Sequence, residues 1–540
     1  MPGLVAEPDA PARAPPGENG RVHSRRDSAL LATLGILLLA LTVGPGASPA
    51  PREIVGPGPA ATPIATPAVP PPSPIVASRA IGGPRPNVAE LLRQYQYGEP
   101  PVPLFPGARA SDWRLDRPDL NAVAGYAGQT SVLPGGSVDL HIRSVGPVVR
   151  LDVFRVGAGD AQHLLTIRDV PTGWHADAAA DPGTGRVEDH WPVSRALAIP
   201  PAWQSGFYLV KCSLPDGRAS YIPFVVRLAA PAPLLVVVPM LTYEAYNGWG
   251  GTDLYRWYRG PRPRAVEASF DRPFEHGYGA GMLFRLDFPL WVWLEDHGYH
   301  PAYATDIDIA RDPALVTQAR TVILSGHPEY WLRGDRDALD AAQRAGVGIL
   351  GMGADMGYWQ VRLAPSAGGT PDRTVVCWKS ATEDPLAASD PLDVTGAFAD
   401  PPLSRPVQDL LGEAYGGVVA GLHPLVVGPG IAAFSPESGL RAGQALPGLV
   451  GDEVDLVSRQ PGALILGATP VDLAGHPMGT AGASAWVTPG GAHVFDAGTF
   501  DWSWGLDPRY AAALPGFPAD SFGRLMADLL AWAGTPEPGA

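Results

Sequence analysis

The chain has 540 residues, a formal net charge of −15 and 46% hydrophobic residues, with 62 prolines and 65 glycines. This length predicts two or three domains, and the proline and glycine content indicates linkers and a loop-rich architecture. An acidic chain without a basic patch argues against nucleic acid as a partner. The two cysteines, Cys212 and Cys377, form no Cys-x-x-Cys pair, which argues against a disulfide framework and against thiolate metal sites.

The N-terminal part predicts export. A basic cluster ending at Arg26 precedes the apolar run 29–43, which has the length of a signal-peptide core and is short for a membrane span. We assign residues 1–50 as an export signal or an N-terminal anchor of a secreted or cell-envelope protein, and the sequence leaves both open. Any membrane attachment is expected through this segment alone. The Pro/Ala-rich residues 51–86 predict a disordered linker.

Residues 87–230 predict an immunoglobulin-like β-sandwich. Short runs of alternating polar and apolar residues, such as 137–142, 149–154 and 207–210, are separated by turn residues. Strands at this spacing without a convincing helix are typical of sandwich folds. We expect such a module to support a neighbouring domain or to bind a ligand.

Residues 231–535 predict an α/β domain. The fully apolar runs 234–238 and 321–324 have the composition of buried parallel strands, and a helical pattern at 335–345 leads to a further strand at 347–352. Alternating strands and helices with short links predict a doubly wound, mostly parallel sheet, similar to glutamine amidotransferases or flavodoxin.

Polar side chains follow three of these strands. In open α/β sheets the strand ends that lead into helices are where ligands bind. Carboxylate and phenolate oxygens suit a hard, highly charged cation such as ferric iron. An aromatic ring that only packs a loop is the alternative interpretation of Tyr246. The residues predicted to meet at this edge are Tyr243, Tyr246, Asn247, His327, Glu329 and Asp355.

Other catalytic motifs do not fit. Residues 346–351 match G-x-G-x-x-G, but the motif follows a helix and lies across a strand, so we interpret it as a chance match. A serine nucleophile elbow, a zinc-binding H-E-x-x-H helix and a Walker A loop are absent from the sequence. Cys377 lies in an apolar strand, which favours a core position over a nucleophile and argues against a glutamine-amidotransferase-like enzyme.

At these residues the chain resembles the catalytic large (beta) subunit of N,N-dimethylformamidase and its relatives, over roughly residues 115 to 535. The resemblance implies a mononuclear iron, ferric by the donor chemistry above, held by two tyrosines and a glutamate. Carried over by motif, these ligands are Tyr208, Tyr246 and Glu329. The stretches that carry the resemblance are SGFYLV (205–210), YNGWGG (246–251), SFDRPF (269–274), GHPEYW (326–331), GYWQVR (357–362) and VVCWK (375–379).

The resemblance also implies a function and catalytic residues. His327 corresponds to a histidine beside the metal and Lys379 to a lysine that lines the pocket, whereas Asp355 replaces an asparagine. We therefore expect an iron-dependent amidohydrolase that acts on a small amide, with His327 or Asp355 moving protons and Asn247 or Lys379 steadying the oxyanion. A homo-oligomer or a small partner subunit is compatible with this function. The alternative is a non-catalytic exported binding or scaffold protein with the same fold.

Overall fold

The computed structural model describes residues 113–258, 260–458, 460–472 and 479–539. The predicted export segment and linker lie outside these residues, as does the beginning of the predicted sandwich. Within the described ranges, we find no helix that combines the length and hydrophobicity required to cross a bilayer.

The first part of the described chain is built from nine strands in two sheets. A six-stranded sheet has the order β1-β9-β8-β5-β6, with β3 also paired to β9, and a three-stranded sheet has the order β2-β4-β7. Side chains of both sheets share one apolar core, although an immunoglobulin topology is not confirmed. The strands are β1 (Arg117–Pro118), β2 (Val123–Ala127), β3 (Ser131–Val132), β4 (Ser137–Ser144), β5 (Val148–Gly157), β6 (Asp160–Pro171), β7 (Val193–Ala198), β8 (Gly206–Ser213) and β9 (Arg218–Val226).

The second part combines further strands with mostly short helices. The strands are β10 (Leu234–Val238), β11 (Glu267–Ser269), β12 (Ala302–Thr305), β13 (Thr321–Leu324), β14 (Tyr330–Leu332), β15 (Gly348–Gly351), β16 (Trp359–Ala364), β17 (Thr374–Val376), β18 (Ala414–Val426), β19 (Ala445–Leu456), β20 (Leu464–Val471), β21 (Gly479–Val487) and β22 (His493–Asp496). The α-helices are α1 (Met240–Ala245), α2 (Leu283–Leu286), α3 (Phe288–Asp296), α4 (Asp306–Arg311), α5 (Ala314–Thr317), α6 (Arg333–Arg344), α7 (Gln408–Leu411), α8 (Ile431–Phe434), α9 (Pro508–Ala513) and α10 (Ala519–Trp532). Single turns of 3₁₀-helix occur at Trp249–Gly251, His276–Gly279 and Pro436–Ser438, and a longer one at Phe500–Leu506.

The largest sheet is mixed, and the prediction of a doubly wound, mostly parallel domain is wrong. Its order is β12-β10-β13-β15-β22-β21-β19-β18, with β20 paired to β21. Pairing is parallel from β12 to β22 and antiparallel from β22 onward. The chain after residue 380 supplies long antiparallel strands where a doubly wound fold needs further strand–helix units, and β14, β16, β17 and β11 form a separate small sheet.

The parallel strands are buried on both faces. Alternate residues of β10 enter different cores, with Val236 and Val238 in one and Leu235 and Val237 in the other. This explains why the strand reads as a continuous apolar run rather than an alternating one, since strands covered on both sides need apolar residues at every position.

The sandwich packs directly on the second part. Phe207 and Leu209 of β8 join a core that also contains Trp291 of α3, while a buried ion pair links Arg155 of β5 to Glu295 of α3. Both guanidinium–carboxylate hydrogen bonds are 2.6 Å long. A division into domains at residue 230 stays a prediction, because the two parts share this core.

Candidate metal centre

The candidate centre begins at the end of β13. Gly326 has φ +60°, and a Cβ there would lie 2.7 Å from the Asp287 carboxylate, so this sharp turn requires glycine. The turn leads to His327 and Glu329. The neighbouring strand β15 pairs in parallel with β13 and leads to Asp355, which also has a positive φ of 51°. One metal-ligating atom from each of His327, Glu329 and Asp355 lies within 4.8 Å of the others, so the structure brings these three predicted residues together.

Two phenols meet the Glu329 carboxylate from the loop after α1. Tyr246 is the helix C-cap, and its hydroxyl donates to Glu329 Oε2 at 2.8 Å. The Tyr255 hydroxyl donates to Glu329 Oε1 at 2.5 Å. The two hydroxyl oxygens are 3.0 Å apart. Three oxygen-bearing side chains therefore converge on one point.

Tyr208 is not part of this group, and its prediction as a ligand is corrected. Side chains alternate across a strand, so Phe207 and Leu209 of β8 face the second part of the protein while Tyr208 faces the sandwich core. The Tyr208 hydroxyl donates to the Gln204 carbonyl at 2.6 Å, and its ring stacks on Trp203.

Tyr255, which the sequence analysis missed, lies where the second tyrosine was expected. It follows Tyr246 by nine residues in the same aromatic, glycine-rich loop, and that shared loop was the signal available in the sequence. The backbone of this loop is fixed by Asp253, whose carboxylate accepts from the Tyr255 N–H at 2.7 Å.

His327 is held in one orientation. Its Nδ1 lies 3.0 Å from the Ala354 carbonyl oxygen, which only accepts, so Nδ1 carries the proton and Nε2 faces the carboxylates. Nε2 is 3.3 Å from Glu329 Oε2 and 3.6 Å from Glu453 Oε2. Burial lowers the pKa of His327, but the hydrogen bond to Glu329 and the charge of Glu453 outweigh burial and raise it above its usual value.

The pKa of Glu329 is shifted in the opposite direction. Burial raises the pKa of Glu329, but its hydrogen bond to His327, the nearby charges of His327 and Lys379 and the Tyr255 hydroxyl hold it below its usual value. Glu329 is therefore a carboxylate at neutral pH and carries the negative charge that a cation needs.

Asp355 faces a second acid, Glu453 of β19, which sequence reasoning did not identify. The two carboxyl groups are close enough to share a hydrogen bond when one of them carries a proton. Burial, together with the charges of Glu329 and Glu453, raises the pKa of Asp355 well above its usual value. The available signal was the alternation in β19, where acids at 453 and 455 face one side and apolar residues at 454 and 456 the other. The Asp355 N–H donates to Asp455 Oδ1 at 2.9 Å.

Asn247 braces the loop and does not face the cluster, so its predicted catalytic role is corrected. Its side-chain amide donates to Glu244 Oε2 at 3.1 Å and to the Pro273 carbonyl at 3.0 Å. Its oxygen accepts from the N–H groups of Trp249 and Glu275. All of its hydrogen-bonding capacity is used by the scaffold.

Lys379 follows β17 and reaches the phenols. Its ammonium lies 3.3 Å from the centroid of the Tyr255 ring, 4.9 Å from that of Trp359 and 5.2 Å from that of Tyr330. Burial lowers the pKa of Lys379 to about 8, against the opposing charge of Glu329. These contacts place Lys379 beside the candidate centre, and its catalytic role stays a prediction.

The donor set fits a hard cation. Tyr246, Tyr255 and Glu329 offer three oxygen donors, the class of donor that suits a hard cation such as ferric iron. Burial and the Glu329 charge raise the pKa of both phenols above the ordinary value of 10, so each phenol keeps its proton unless a strong Lewis acid displaces it. Tyr330 is buried beside them.

A polar cleft of about 730 Å³ lies elsewhere, on the sandwich. Its lining includes Arg114, Arg150, Arg168 and Lys211 and none of the residues described above.

The chain is similar to known proteins over this region. The family described as "N,N-dimethylformamidase beta subunit-like, C-terminal" matches residues 150–513. The N,N-dimethylformamidase beta subunit of an Alcaligenes species is 27% identical over 217 residues, and that of Paracoccus aminophilus is 25% identical over 217 residues. Each match covers 32% of this chain and 28% of the relative, so the chain matches less than a third of the length of these relatives.

Proposed function

Because the chain belongs to the N,N-dimethylformamidase beta-subunit-like family, we propose that it hydrolyses the C–N bond of amides at a mononuclear iron held by Tyr246, Tyr255 and Glu329. The observation that carries this proposal is the convergence of two phenols and a carboxylate, with oxygen–oxygen distances of 2.5, 2.8 and 3.0 Å, beside a buried histidine. Both relatives are named beta subunits, so a partner subunit is part of the proposal.

Bound iron would polarise the amide carbonyl and lower the pKa of a water molecule. His327 then acts through Nε2. Because Nδ1 donates to the Ala354 carbonyl, Nε2 is the nitrogen free to accept the proton of the attacking water and to return it to the leaving amine.

Asp355 acts as a hydrogen-bond donor in this proposal. Burial and the charges of Glu329 and Glu453 raise the pKa of Asp355 well above its usual value, which favours the protonated carboxyl group. In that form it donates a hydrogen bond as the asparagine expected at this position would. The developing oxyanion is the acceptor. Lys379 adds positive charge on the side of Tyr255.

The test is the metal content of the purified full-length chain, measured for wild type, Glu329→Ala and the control Glu437→Ala, together with hydrolysis of a panel of amides that begins with formamides. Glu437 is exposed and lies outside the site. We expect about one iron per chain in wild type and control, with iron and hydrolysis both lost in Glu329→Ala. Stoichiometric iron in Glu329→Ala would show that the ligands are wrong. No metal and no turnover in wild type would favour the exported binding or scaffold protein.

The export prediction joins this proposal. The run 29–43 would direct the chain to the outside of the cell, as a cleaved signal or as an anchor. Fractionation of the producing cells, with sequencing of the mature N-terminus, tests it, and a cytoplasmic chain with an intact N-terminus would contradict it.

A further inference from the structure

Three half-buried aromatic side chains, Tyr358, Trp359 and Tyr415, lie next to the buried acids of the candidate centre. We call them the aromatic collar. Tyr358 immediately precedes β16, Trp359 is its first residue, and Tyr415 lies in β18. The ring centroids of Tyr358 and Trp359 are 4.7 Å apart, and those of Tyr358 and Tyr415 are 5.8 Å apart at an interplanar angle of 88°. The three rings therefore form one continuous aromatic surface.

The collar is connected to the centre through backbone and side chains. The Trp359 N–H donates to the Glu329 carbonyl at 3.0 Å, so the position of Trp359 is tied to that of the proposed ligand. The Lys379 ammonium bridges the Trp359 and Tyr255 rings. The carboxylates lie close enough to affect the phenols, since burial and then the charge of Asp355 raise the pKa of Tyr358.

The collar side chains are partly exposed, whereas the acids next to them are buried. Tyr358, Trp359 and Tyr415 are each partly exposed. By contrast, Glu329 is 2% exposed and Asp355 is 4% exposed. The Tyr358 and Tyr415 hydroxyls make no hydrogen bond to another described residue, so both are available to a bound molecule.

The charges around the collar select among ligands that stack on aromatic rings. A cationic group would suit the ring faces, but the Lys379 ammonium already lies 4.9 Å from the Trp359 centroid and repels a second cation. An anionic group would be repelled by Asp355 and Glu453, whose charges raise the pKa of Tyr358 and Tyr415 respectively, after burial. A neutral planar ring meets neither penalty, and it can pair with both the faces and the edges of rings that are themselves arranged edge to face.

We infer that the aromatic collar of Tyr358, Trp359 and Tyr415 binds a neutral aryl group of the substrate, so that the preferred substrates are amides that carry an aromatic ring rather than bare dialkylformamides. The substrate preference in this inference rests on the proposed amide hydrolysis. Its test does not, because binding of an aryl amide is measurable without turnover. The aryl group occupies the collar while the amide carbonyl reaches toward the buried centre.

The experiment compares the dissociation constants of benzamide and cyclohexanecarboxamide for the full-length chain by calorimetric titration. The two probes share the amide and differ in the aromatic character of the ring. We expect wild type to bind benzamide about tenfold more tightly, and Tyr415→Leu to abolish that preference, since an aromatic pair contributes beyond its buried area. The matched control is Tyr258→Leu, because Tyr258 is 69% exposed and lies outside the collar. We expect this control to keep the wild-type preference.

Equal binding of the two carboxamides to wild type, or a preference that survives Tyr415→Leu, would overturn the inference. A second variant, Tyr358→Leu, guards against a fold defect in the first and should abolish the preference equally. If benzamide binds preferentially but no amide is hydrolysed, the proposed function fails while the aryl subsite stands. If formamides are hydrolysed and the ring preference is absent, the subsite fails while the function stands.

Discussion

Two tyrosines, Tyr208, which is buried, and Tyr255, which is 38% exposed, differ in the groups that their hydroxyls contact. In the sandwich, the Tyr208 hydroxyl donates to a backbone carbonyl between stacked aromatic rings. At the edge of the large sheet, the Tyr255 hydroxyl donates to the Glu329 carboxylate beside a second phenol and an ammonium. A hydroxyl bound to a neutral carbonyl stabilises the fold, whereas a cluster of phenols on a charged carboxylate can exchange its protons for a cation.

Substitution of Tyr255 is the most direct test of the difference between the two tyrosines. Tyr255→Phe removes one of the three converging oxygens, so we expect iron occupancy to fall about tenfold or more. Tyr208→Phe should keep the wild-type occupancy. Both are measured by metal analysis of the purified chain after dialysis against a weak chelator. Loss of iron in Tyr208→Phe with retention in Tyr255→Phe would restore the assignment made from the sequence.

A buried ion pair in each region allows an effect on iron binding to be distinguished from an effect on stability. Glu244 and Arg272 form a fully buried ion pair at 2.7 Å, and Arg272 also donates to the carbonyls of Asn247, Trp249 and Thr252 in the loop that carries both phenols. Glu244→Ala leaves a buried cation, so we expect a loss of about 3–5 kcal/mol in the free energy of unfolding and a parallel loss of iron affinity.

The matched variant for that test is Glu295→Ala, which breaks the buried pair with Arg155 of the sandwich. It should lower the free energy of unfolding to a similar extent and leave the iron affinity of the folded chain unchanged. Urea unfolding followed by circular dichroism gives the first quantity, and metal titration gives the second. Equal effects of both variants on iron affinity would show that stability alone governs the centre.

The pH dependence of stability should also differ between the regions. Burial raises the pKa of Asp501 to about 7, and both of its carboxyl oxygens lack a hydrogen-bond partner among the described residues. The stability contributed by the neutral group is present below the unfolded pKa of about 3.8 and is lost as pH rises toward 7. Asp501→Asn should therefore raise the free energy of unfolding at pH 8 by on the order of 3 kcal/mol and flatten its decline between pH 4 and 7.

Asp181 provides the opposite sign in the sandwich. Hydrogen bonds from the Thr184 and Gly183 N–H groups hold the pKa of Asp181 below its usual value. The stability that Asp181 contributes is present at neutral pH and is lost as pH falls. We therefore expect Asp181→Asn to leave the pH dependence of the free energy of unfolding unchanged above pH 5. Thermal unfolding across pH 4 to 8 measures both variants, and identical profiles would contradict the assigned shifts.

The smallest expected effect concerns Tyr208 itself. Tyr208→Phe removes the hydrogen bond to the Gln204 carbonyl but keeps the ring stacked between Trp203 and Phe224. We expect a loss of about 1 kcal/mol in the free energy of unfolding, measured by urea titration. A loss of several kcal/mol would mean that the hydroxyl has a role beyond this bond.

Local elements could be predicted from the sequence because their signals are local. The apolar runs Leu234–Val238 and Thr321–Leu324 are strands, as predicted, and the helix predicted at 335–345 spans Arg333–Arg344. Its start is fixed by Asp335, which accepts from the Leu332 N–H at 2.7 Å. The meeting of His327, Glu329 and Asp355 followed from the rule that parallel strands end at one edge of a sheet.

What failed depended on contacts between distant segments. The direction of pairing in β18–β21 is a property of the assembled sheet, so the alternation of strands and helices before residue 380 could not reveal that the same sheet continues antiparallel. Tyr208 matched a motif, but the side of β8 on which it lies decides its partner. Glu453 lies beside Asp355 because β19, about 100 residues later in the chain, joins the same sheet as β15. The alternation in β19 indicates that Glu453 and Asp455 share a side but not which strand end they reach.

The position of β22 in the sheet determines when the sheet can be completed during folding. Strand β22, from the far end of the chain, pairs with β15 and joins the parallel strands to the antiparallel ones. Asp355 follows β15 and donates its N–H to Asp455 in β19, which also belongs to that late segment. During synthesis, the Tyr246 loop and the Glu329 turn therefore leave the ribosome long before the acids that complete their surroundings. Contacts between residues far apart in the sequence slow folding. A nascent or C-terminally truncated chain therefore exposes strand edges to chaperones and proteases and lacks the assembled candidate centre.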